Sequence, residues 1–403
     1  MKKTQNVPIS HVISGTFLIS GTAIGAGMLG IPLVTSQAGF FPAIFITAVV
    51  WIFMMLTGLL FLEATLWLPD GSNILSITRK FLGKKGQAFS GGMFIFLYYC
   101  LMVAYFAAGA PMLANAFEAL TSVHLTGWNV YLLFGVVFGS IVAIGPKSID
   151  RVNVIITFAM VLSWILLIGV AGPEVEQKRL MEFHFSPMFF AAPILFSAFG
   201  YHNVIPSLCS YLNRNVKVLR LSIICGTLLP FLIYFLWQWL IIGSLPPSEI
   251  TAVLHKGKPV TEALESLTGK PWIALIGKFF AFFALVTSVL GVAFSMVDFL
   301  GDGMRMSRKG LSRFLLTILT FFPPFVLAAI NPYIFDTALG VAGGFGEAYL
   351  NGLLPVLLVW IGVYRRNLTL RTNLKGGRLL LGTLFAVGLI VMGLEIWHLY
   401  QTS

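Results

Sequence analysis

The chain has 403 residues, 58% of them hydrophobic and only 10% charged, with a formal net charge of +11. Soluble domains carry about 25% charged residues, so a surface built mainly against water is excluded. The apolar residues run in uncharged blocks of roughly 20, the length a helix needs to cross a hydrocarbon slab about 30 Å thick. Such blocks show neither the stripe of a surface helix nor the ten-residue alternation of a barrel strand. The chain therefore reads as an all-α integral membrane protein with one transmembrane domain, 1–403.

Eleven spans are expected in chain order: 9–35, 39–68, 87–117, 127–145, 151–172, 187–211, 217–243, 272–300, 311–330, 333–363 and 377–400. Lys2 and Lys3 precede a full-length apolar stretch that runs straight into further spans, so the start reads as an uncleaved first span. The segment 70–86 carries Ile74, Leu75, Ile77 and Phe81 among lysines, a pattern expected to lie on the membrane surface. The longer polar pieces 173–186 and 244–271 fall on the opposite side, the second with helix-like stretches opened by Pro247 and Pro259.

Basic residues set the orientation. With the N-terminus inside, the inner segments hold Lys2 and Lys3; Arg79, Lys80, Lys84 and Lys85; Lys147 and Arg151; Arg214, Lys217 and Arg220; Arg305, Arg308, Lys309 and Arg313; and Arg365, Arg366, Arg371, Lys375 and Arg378. The outer side is poor in them, so the N-terminus is expected in the cytoplasm and, after eleven spans, the C-terminus outside. The positive charge is thus a topology signal, not a nucleic-acid footprint. Cys100, Cys209 and Cys225 lie in or beside apolar blocks and read as small core residues, not a disulfide framework. The histidines are scattered and form no metal or acid–base constellation, so a membrane enzyme is not expected. A channel would need a polar stripe through the span, whereas one mid-membrane cluster with thick apolar ends suits alternating access.

Two spans are interrupted. The first contains GTAIGAGMLGIP at 21–32, four glycines and a proline within twelve residues. Each interior glycine costs about 1 kcal/mol relative to alanine in a helix. Either the glycines admit a close helix contact, or the span is unwound, its N–H groups open to a carboxylate and its carbonyls to a cation or an ammonium. The sixth span contains Ser197, Phe199, Gly200, Tyr201, His202 and Asn203 before Pro206. Polar groups at that depth are costly unless they line a cavity. Interruptions at corresponding places, each opening a five-span unit, point to an inverted-repeat transporter: repeat one at about 9–172, repeat two at about 187–363, and one extra helix at about 377–400. No nucleotide-binding loop is present, so transport is expected to be secondary.

Two acids lie within the spans. Glu347, near the middle of the tenth, and Glu63, in the inner part of the second, are candidate proton carriers; each has the alternative of pairing within the bundle. In the eighth span, Ala284, Thr287 and Ser288 at i, i+3 and i+4 place a carbonyl and two hydroxyls on one face. With the carbonyls of Gly21 and Ile24 they form a possible five-oxygen Na+ site; the alternative is that both hydroxyls bond back to their own helix.

GTAIGAGMLGIP (21–32), FSAFGYHNVIPSLCSY (196–211), FLWQWLIIGSLP (235–246) and TSVLGVAFSMVDFL (287–300) resemble the hydroxy and aromatic amino acid permeases of the amino acid–polyamine–organocation superfamily, most of all bacterial tyrosine-specific permeases. The likeness covers nearly the whole chain; VDFLGD at 297–302 departs from it. It implies a leucine-transporter-type fold in a bacterial inner membrane, with five-helix repeats and an appended helix. It implies a symporter of an aromatic amino acid, tyrosine first, with tryptophan, phenylalanine, serine or threonine as alternatives. The coupling ion is Na+ or H+, and neither a cofactor nor an obligatory protein partner is expected. The implied site places the substrate carboxylate at the N–H groups of Gly25, Ala26 and Gly27. Its ammonium goes to carbonyls near Thr22, Ala23 and Ala198. Its ring lies against Phe199, Gly200 and Tyr201, with Tyr98, Tyr99 and Tyr105 on the far wall and His202 at a phenolic hydroxyl.

Overall fold

Inside a bilayer every backbone N–H and C=O needs a partner within the chain, so the apolar blocks wind into helices. The structure, a computed structural model, describes residues 9–182, 184, 186–255, 260, 271–372 and 377–402. Lys2, Lys3, Pro259 and Lys375, which entered the sequence reading, lie outside them.

In chain order the main helices are α1 (Ile9–Ala23), α2 (Gly27–Thr35), α3 (Phe40–Leu66), α4 (Ile74–Thr121), α5 (Trp128–Ile144), α6 (Pro146–Ala171) and α7 (Ala192–Ala198). There follow α8 (Ile205–Tyr211), α9 (Val216–Ser244), α10 (Pro271–Met304), α11 (Gly310–Ile330), α12 (Phe335–Val341), a π-helix (Ala342–Leu353), α13 (Leu354–Arg366) and α14 (Gly377–Thr402). Among the described residues nine helices are long and apolar enough to cross a membrane. The pair α1 and α2, bent by 60° at a short break, forms a further broken span, and α5 is a shorter apolar helix. A short helix at Pro247–His255 follows α9.

Large apolar side chains such as Phe17, Phe45, Val136, Phe158, Phe322 and Ile390 face outward, as lipid contact requires. Inside, small residues let helices approach closely. Across the α1–α9 contact, a Cβ on Gly226 would stand 2.7 Å from Ile19 Cβ and 3.1 Å from the Thr16 carbonyl oxygen. The π-helix is glycine-rich for the same reason: a Cβ on Gly346 would meet Leu97 Cβ at 2.8 Å.

Residues 74–82 do not spread on the membrane surface. They form the first turns of α4, which kinks at Gly83 with φ of 73°, a conformation that favours glycine. Ile77 and Phe81 are buried, with Phe81 between the Trp67 ring (centroids 5.7 Å apart) and the Arg366 guanidinium (5.0 Å). The apolar side of this segment therefore packs under the bundle instead of into lipid.

Glu63 has a structural place, which favours the alternative of pairing within the bundle over that of a proton carrier. Its two oxygens accept the backbone N–H groups of Arg371 and Thr372, each at 2.7 Å. It thereby ties α3 to the loop that leads to α14. Glu63→Ala is expected to destabilise the protein by about 3 kcal/mol, because each N–H left unpaired by loss of its acceptor costs about 1–3 kcal/mol. The measurement is the thermal unfolding midpoint in detergent, and an unchanged midpoint contradicts this role.

Candidate functional site

The first break is three residues long. α1 ends at Ala23, Ile24–Ala26 are non-helical, and α2 restarts at Gly27. Two glycines let it lie deep in the bundle: a Cβ on Gly25 would run into Ser288 Oγ on α10, and one on Gly27 would stand 2.9 Å from Ala198 Cα. The start of α2 thus rests on the end of α7, so the two breaks touch.

The second break follows directly from that contact. α7 ends at Ala198, and the chain turns through Phe199, Gly200 and Tyr201 before a short 3-10 turn at His202–Val204 leads into α8. Gly200 faces Glu347: a Cβ there would stand 2.9 Å from the carboxyl carbon. Ser197 Oγ donates to the Leu339 carbonyl at 2.8 Å, fixing α7 to helix 10, the continuous span made of α12, the π-helix and α13.

One side chain joins the breaks. Tyr234 on α9 is fully buried, and its hydroxyl lies 2.7 Å from both the Ala23 and the Ala198 carbonyl oxygens. These are the last carbonyls of α1 and α7, groups left without intrahelical partners at a helix C-terminus. The hydroxyl has one proton to share between them. Tyr234 is a lone tyrosine in an apolar run, and nothing in its sequence context marks it.

The cavity at the crossing is lined by Thr22, Ala23, Gly25, Ala26 and Gly27 from the first break and by Ser197, Gly200 and Asn203 from the second. Phe94, Tyr98 and Tyr105 of α4, Ser288 of α10, and Glu347 and Asn351 of the π-helix close it. Phe94 stacks on Tyr98 at 4.2 Å and on Phe299 at 4.3 Å, giving one wall a continuous aromatic face. Asn203 Nδ2 donates to the Tyr98 hydroxyl at 3.0 Å. Asn351 Nδ2 donates to a Glu347 carboxylate oxygen. A second groove between α5 and α11, lined by Leu132, Val136, Phe314 and Phe322, is almost wholly apolar and opens toward lipid.

Several expected residues lie elsewhere. Phe199 points away from the cavity and packs edge-on against Tyr234 at 4.9 Å. Tyr201 turns to α3, where its hydroxyl donates to the Met54 carbonyl at 3.1 Å in the space left by Gly58. His202 Nε2 pairs with Thr57 Oγ1 at 3.0 Å on the same side. Ala198 sits behind the cavity with its carbonyl on Tyr234. In a non-helical turn neighbouring side chains leave in different directions, so Gly200 meets the cavity while its aromatic neighbours fill the space behind. Tyr99 is also off the wall; its hydroxyl donates to the Leu319 carbonyl at 2.9 Å. Tyr98, Leu101 and Tyr105 share one face of α4 at helical spacing, and Tyr99 falls outside it.

At the expected ion face, Thr287 Oγ1 and Ser288 Oγ both donate to the Ala284 carbonyl at 3.0 Å. Ser288 Oγ also accepts the Ala26 N–H at 2.9 Å. Both hydroxyls therefore bond back to their own helix, and one amide of the first break is engaged by α10. Gly21 lies on the exposed side of α1, and Ile24 is half-buried in the break.

Two broken helices that meet at a cavity within an all-helical membrane bundle define a transporter core of the leucine-transporter type, a transport protein and not an enzyme. Over residues 9–395 the chain matches the Tryptophan/tyrosine permease family, and it belongs to that family. It is 32% identical to Tyrosine-specific transport system 1 of Haemophilus influenzae, over 95% of this chain and 96% of that one. It is 31% identical to the Tryptophan-specific transport protein of the same organism, over 86% of each chain. The crystal structure of MhsT in complex with L-phenylalanine superposes with a TM-score of 0.64 at 14% identity, covering 96% of this chain and 98% of that one.

Two substitutions test the crossing. Gly25→Leu is expected to abolish solute binding in a folded protein, since its side chain meets Ser288; unchanged affinity measured by scintillation proximity contradicts the site. Tyr234→Phe keeps the ring but removes the shared proton. It is expected to raise KM about fivefold to thirtyfold, the equivalent of about 1–2 kcal/mol, and KM within twofold of wild type contradicts the joint.

Proposed function

We propose that the protein imports an aromatic amino acid, tyrosine first among them, across the bacterial cytoplasmic membrane by cation-coupled alternating access, with its N-terminus inside and its C-terminus outside. The observation that carries this reading is the convergence, in one cavity, of the Gly25–Gly27 backbone, the Phe94–Tyr98 aromatic wall and the Glu347–Asn351 pair. The amides that open α2, at the positive end of its dipole, suit the substrate carboxylate. The ammonium goes to the Thr22 and Ala23 carbonyls at the end of α1, beside Ala198. Tyr234 supplies one proton to the Ala23 and Ala198 carbonyls, and an ammonium in the cavity brings a further donor to Ala23. The substrate ring lies along Phe94, Tyr98 and Tyr105, where each favourable aromatic pair contributes about 0.5–1.5 kcal/mol.

The coupling ion is a proton carried by Glu347. Its carboxyl is buried against the second break, lines the cavity, and forms no ion pair among the described residues. A second reading is Na+ bound by carbonyls of Gly21, Ile24 and Ala284 with the hydroxyls of Thr287 and Ser288. The observation in its favour is that Ser288 and Ala284 lie directly against the break, with Ala284 O 4.0 Å from a Cβ placed on Gly25. Tryptophan is the alternative guest, as relatives named for tyrosine and for tryptophan share the family.

The test is uptake of labelled tyrosine into proteoliposomes, with amino-acid competitors and with proton and sodium gradients imposed separately. Competition by aromatic amino acids and acceleration by an inward proton gradient are expected. Absence of competition by any aromatic amino acid rejects the substrate class. Uptake that follows sodium and ignores the proton gradient rejects Glu347 as the carrier.

A further inference from the structure

The second break sends neighbouring side chains in different directions. Tyr201 and His202 reach α3, whereas Asn203 is exposed and lines the cavity. The cause is the 3-10 turn at His202–Val204, where three residues complete a turn and adjacent side chains stand about 120° apart. Asn203 Nδ2 donates to the Tyr98 hydroxyl at 3.0 Å, and its Oδ1 accepts no hydrogen bond among the described residues. Tyr98 is itself fixed: it is buried and stacks on Phe94, which stacks on Phe299 of α10. One hydrogen bond to a fixed ring thus holds the amide and leaves its carbonyl oxygen available to a guest.

The amide also stands at a telling depth. Ser288 of α10 meets the first break, where its Oγ accepts the Ala26 N–H at 2.9 Å, and Tyr105 of α4 faces Ser288 across the cavity. Eleven residues further along each helix, in opposite directions, Phe94 stacks on Phe299. Tyr98 falls between these levels, seven residues from Tyr105, or roughly 10 Å of helix rise. That matches the reach of tyrosine from its carboxylate to its phenolic oxygen. An amino acid with its carboxylate on the α2 amides and its ring on the α4 wall therefore brings its para position to Asn203. Tyr98, on the same wall, already ends its own hydroxyl on this amide. Glu347, the acid at the cavity, faces Gly200 and is engaged by Asn351 on the π-helix wall, away from the aromatic one.

We propose that Asn203 determines specificity at the far end of the substrate: its Oδ1 accepts the phenolic O–H of tyrosine or the indole N–H of tryptophan, and phenylalanine, which has no donor there, is disfavoured. This rests on the reading of the cavity as an aromatic amino acid site. Water serves Oδ1 while the cavity is open. A phenyl ring displaces that water and offers no donor in exchange, so a buried acceptor stays unpaired. Tyr98 is a positioning residue in this discrimination, because its hydroxyl holds the amide. The part at a phenolic hydroxyl expected of His202 thus passes to the next residue in the chain.

The test uses the full chain in proteoliposomes, with kcat/KM measured for labelled tyrosine, tryptophan and phenylalanine. Wild type is expected to favour tyrosine and tryptophan over phenylalanine by about tenfold or more. Asn203→Leu keeps the size and removes both polar atoms, and it is expected to cut the tyrosine-to-phenylalanine ratio about tenfold. Tyr98→Phe, which frees the amide, is expected to cut that ratio about threefold. In wild type, 4-aminophenylalanine, which keeps a donor, is expected to compete like tyrosine, and 4-fluorophenylalanine like phenylalanine. This analogue pair carries the test if N203L loses its sharp melting transition. A ratio within about twofold of wild type in folded N203L overturns the assignment. Equal loss of all three substrates also overturns it, making the amide structural, as does equal competition by the two analogues. In each of these cases the aromatic reading stands. Wild type that takes up none of the three overturns both.

Discussion

The hydroxyl of Tyr234 meets the last carbonyls of two helices at once, 2.7 Å from each. A helix that stops inside a membrane leaves polar groups that neither lipid nor its own turns can satisfy. Two such stops in one place are tolerable only if a buried donor serves both. Tyr234 supplies that donor from a third helix, and Gly27 makes the meeting possible by letting α2 rest on Ala198. The cavity depends on this joint. With the two ends held together, the amides at the start of α2 and the backbone at Gly200 face the same small volume.

Around the joint the remaining polar groups fall into two sets. Asn203, Tyr98, Glu347 and Asn351 turn inward, where a guest can reach them. Tyr201 and His202 turn away from the cavity toward α3, to the Met54 carbonyl and Thr57 Oγ1. The division sets the cavity's chemistry: aromatic on the α4 side, acid and amide on the π-helix side, backbone at the floor. Gly343 of the π-helix, where a Cβ would stand 2.8 Å from Ser197 Oγ, brings helix 10 close enough to α7 for the Glu347 carboxyl to reach the second break.

Much of this was legible in the sequence. Spans follow from the length of apolar blocks, and the two interruptions from glycine and polar residues in the wrong company. The aromatic neighbours of Gly200 were not legible, because periodicity says nothing about side-chain direction where the backbone is not periodic. Tyr99 was a different case: the face formed by Tyr98, Leu101 and Tyr105 excludes it, and 3.6-residue spacing alone would have told them apart. Tyr234 left no trace, since a single tyrosine in an apolar run is ordinary. Residues 74–82 show the limit of amphipathic patterns. An apolar face asks for apolar cover, and composition does not distinguish lipid from the underside of the bundle.

Glu63 finds its two amide partners 308 and 309 residues further along the chain. During synthesis α3 enters the membrane early, with a buried acceptor that nothing yet fills. Its partners emerge only when nearly the whole chain has been made. Until then that end of the bundle lacks this tie, and a chain cut short before Arg371 leaves the Glu63 carboxyl without its two amide partners. The same contact that anchors the last helix therefore forms only once the chain has been made through Thr372.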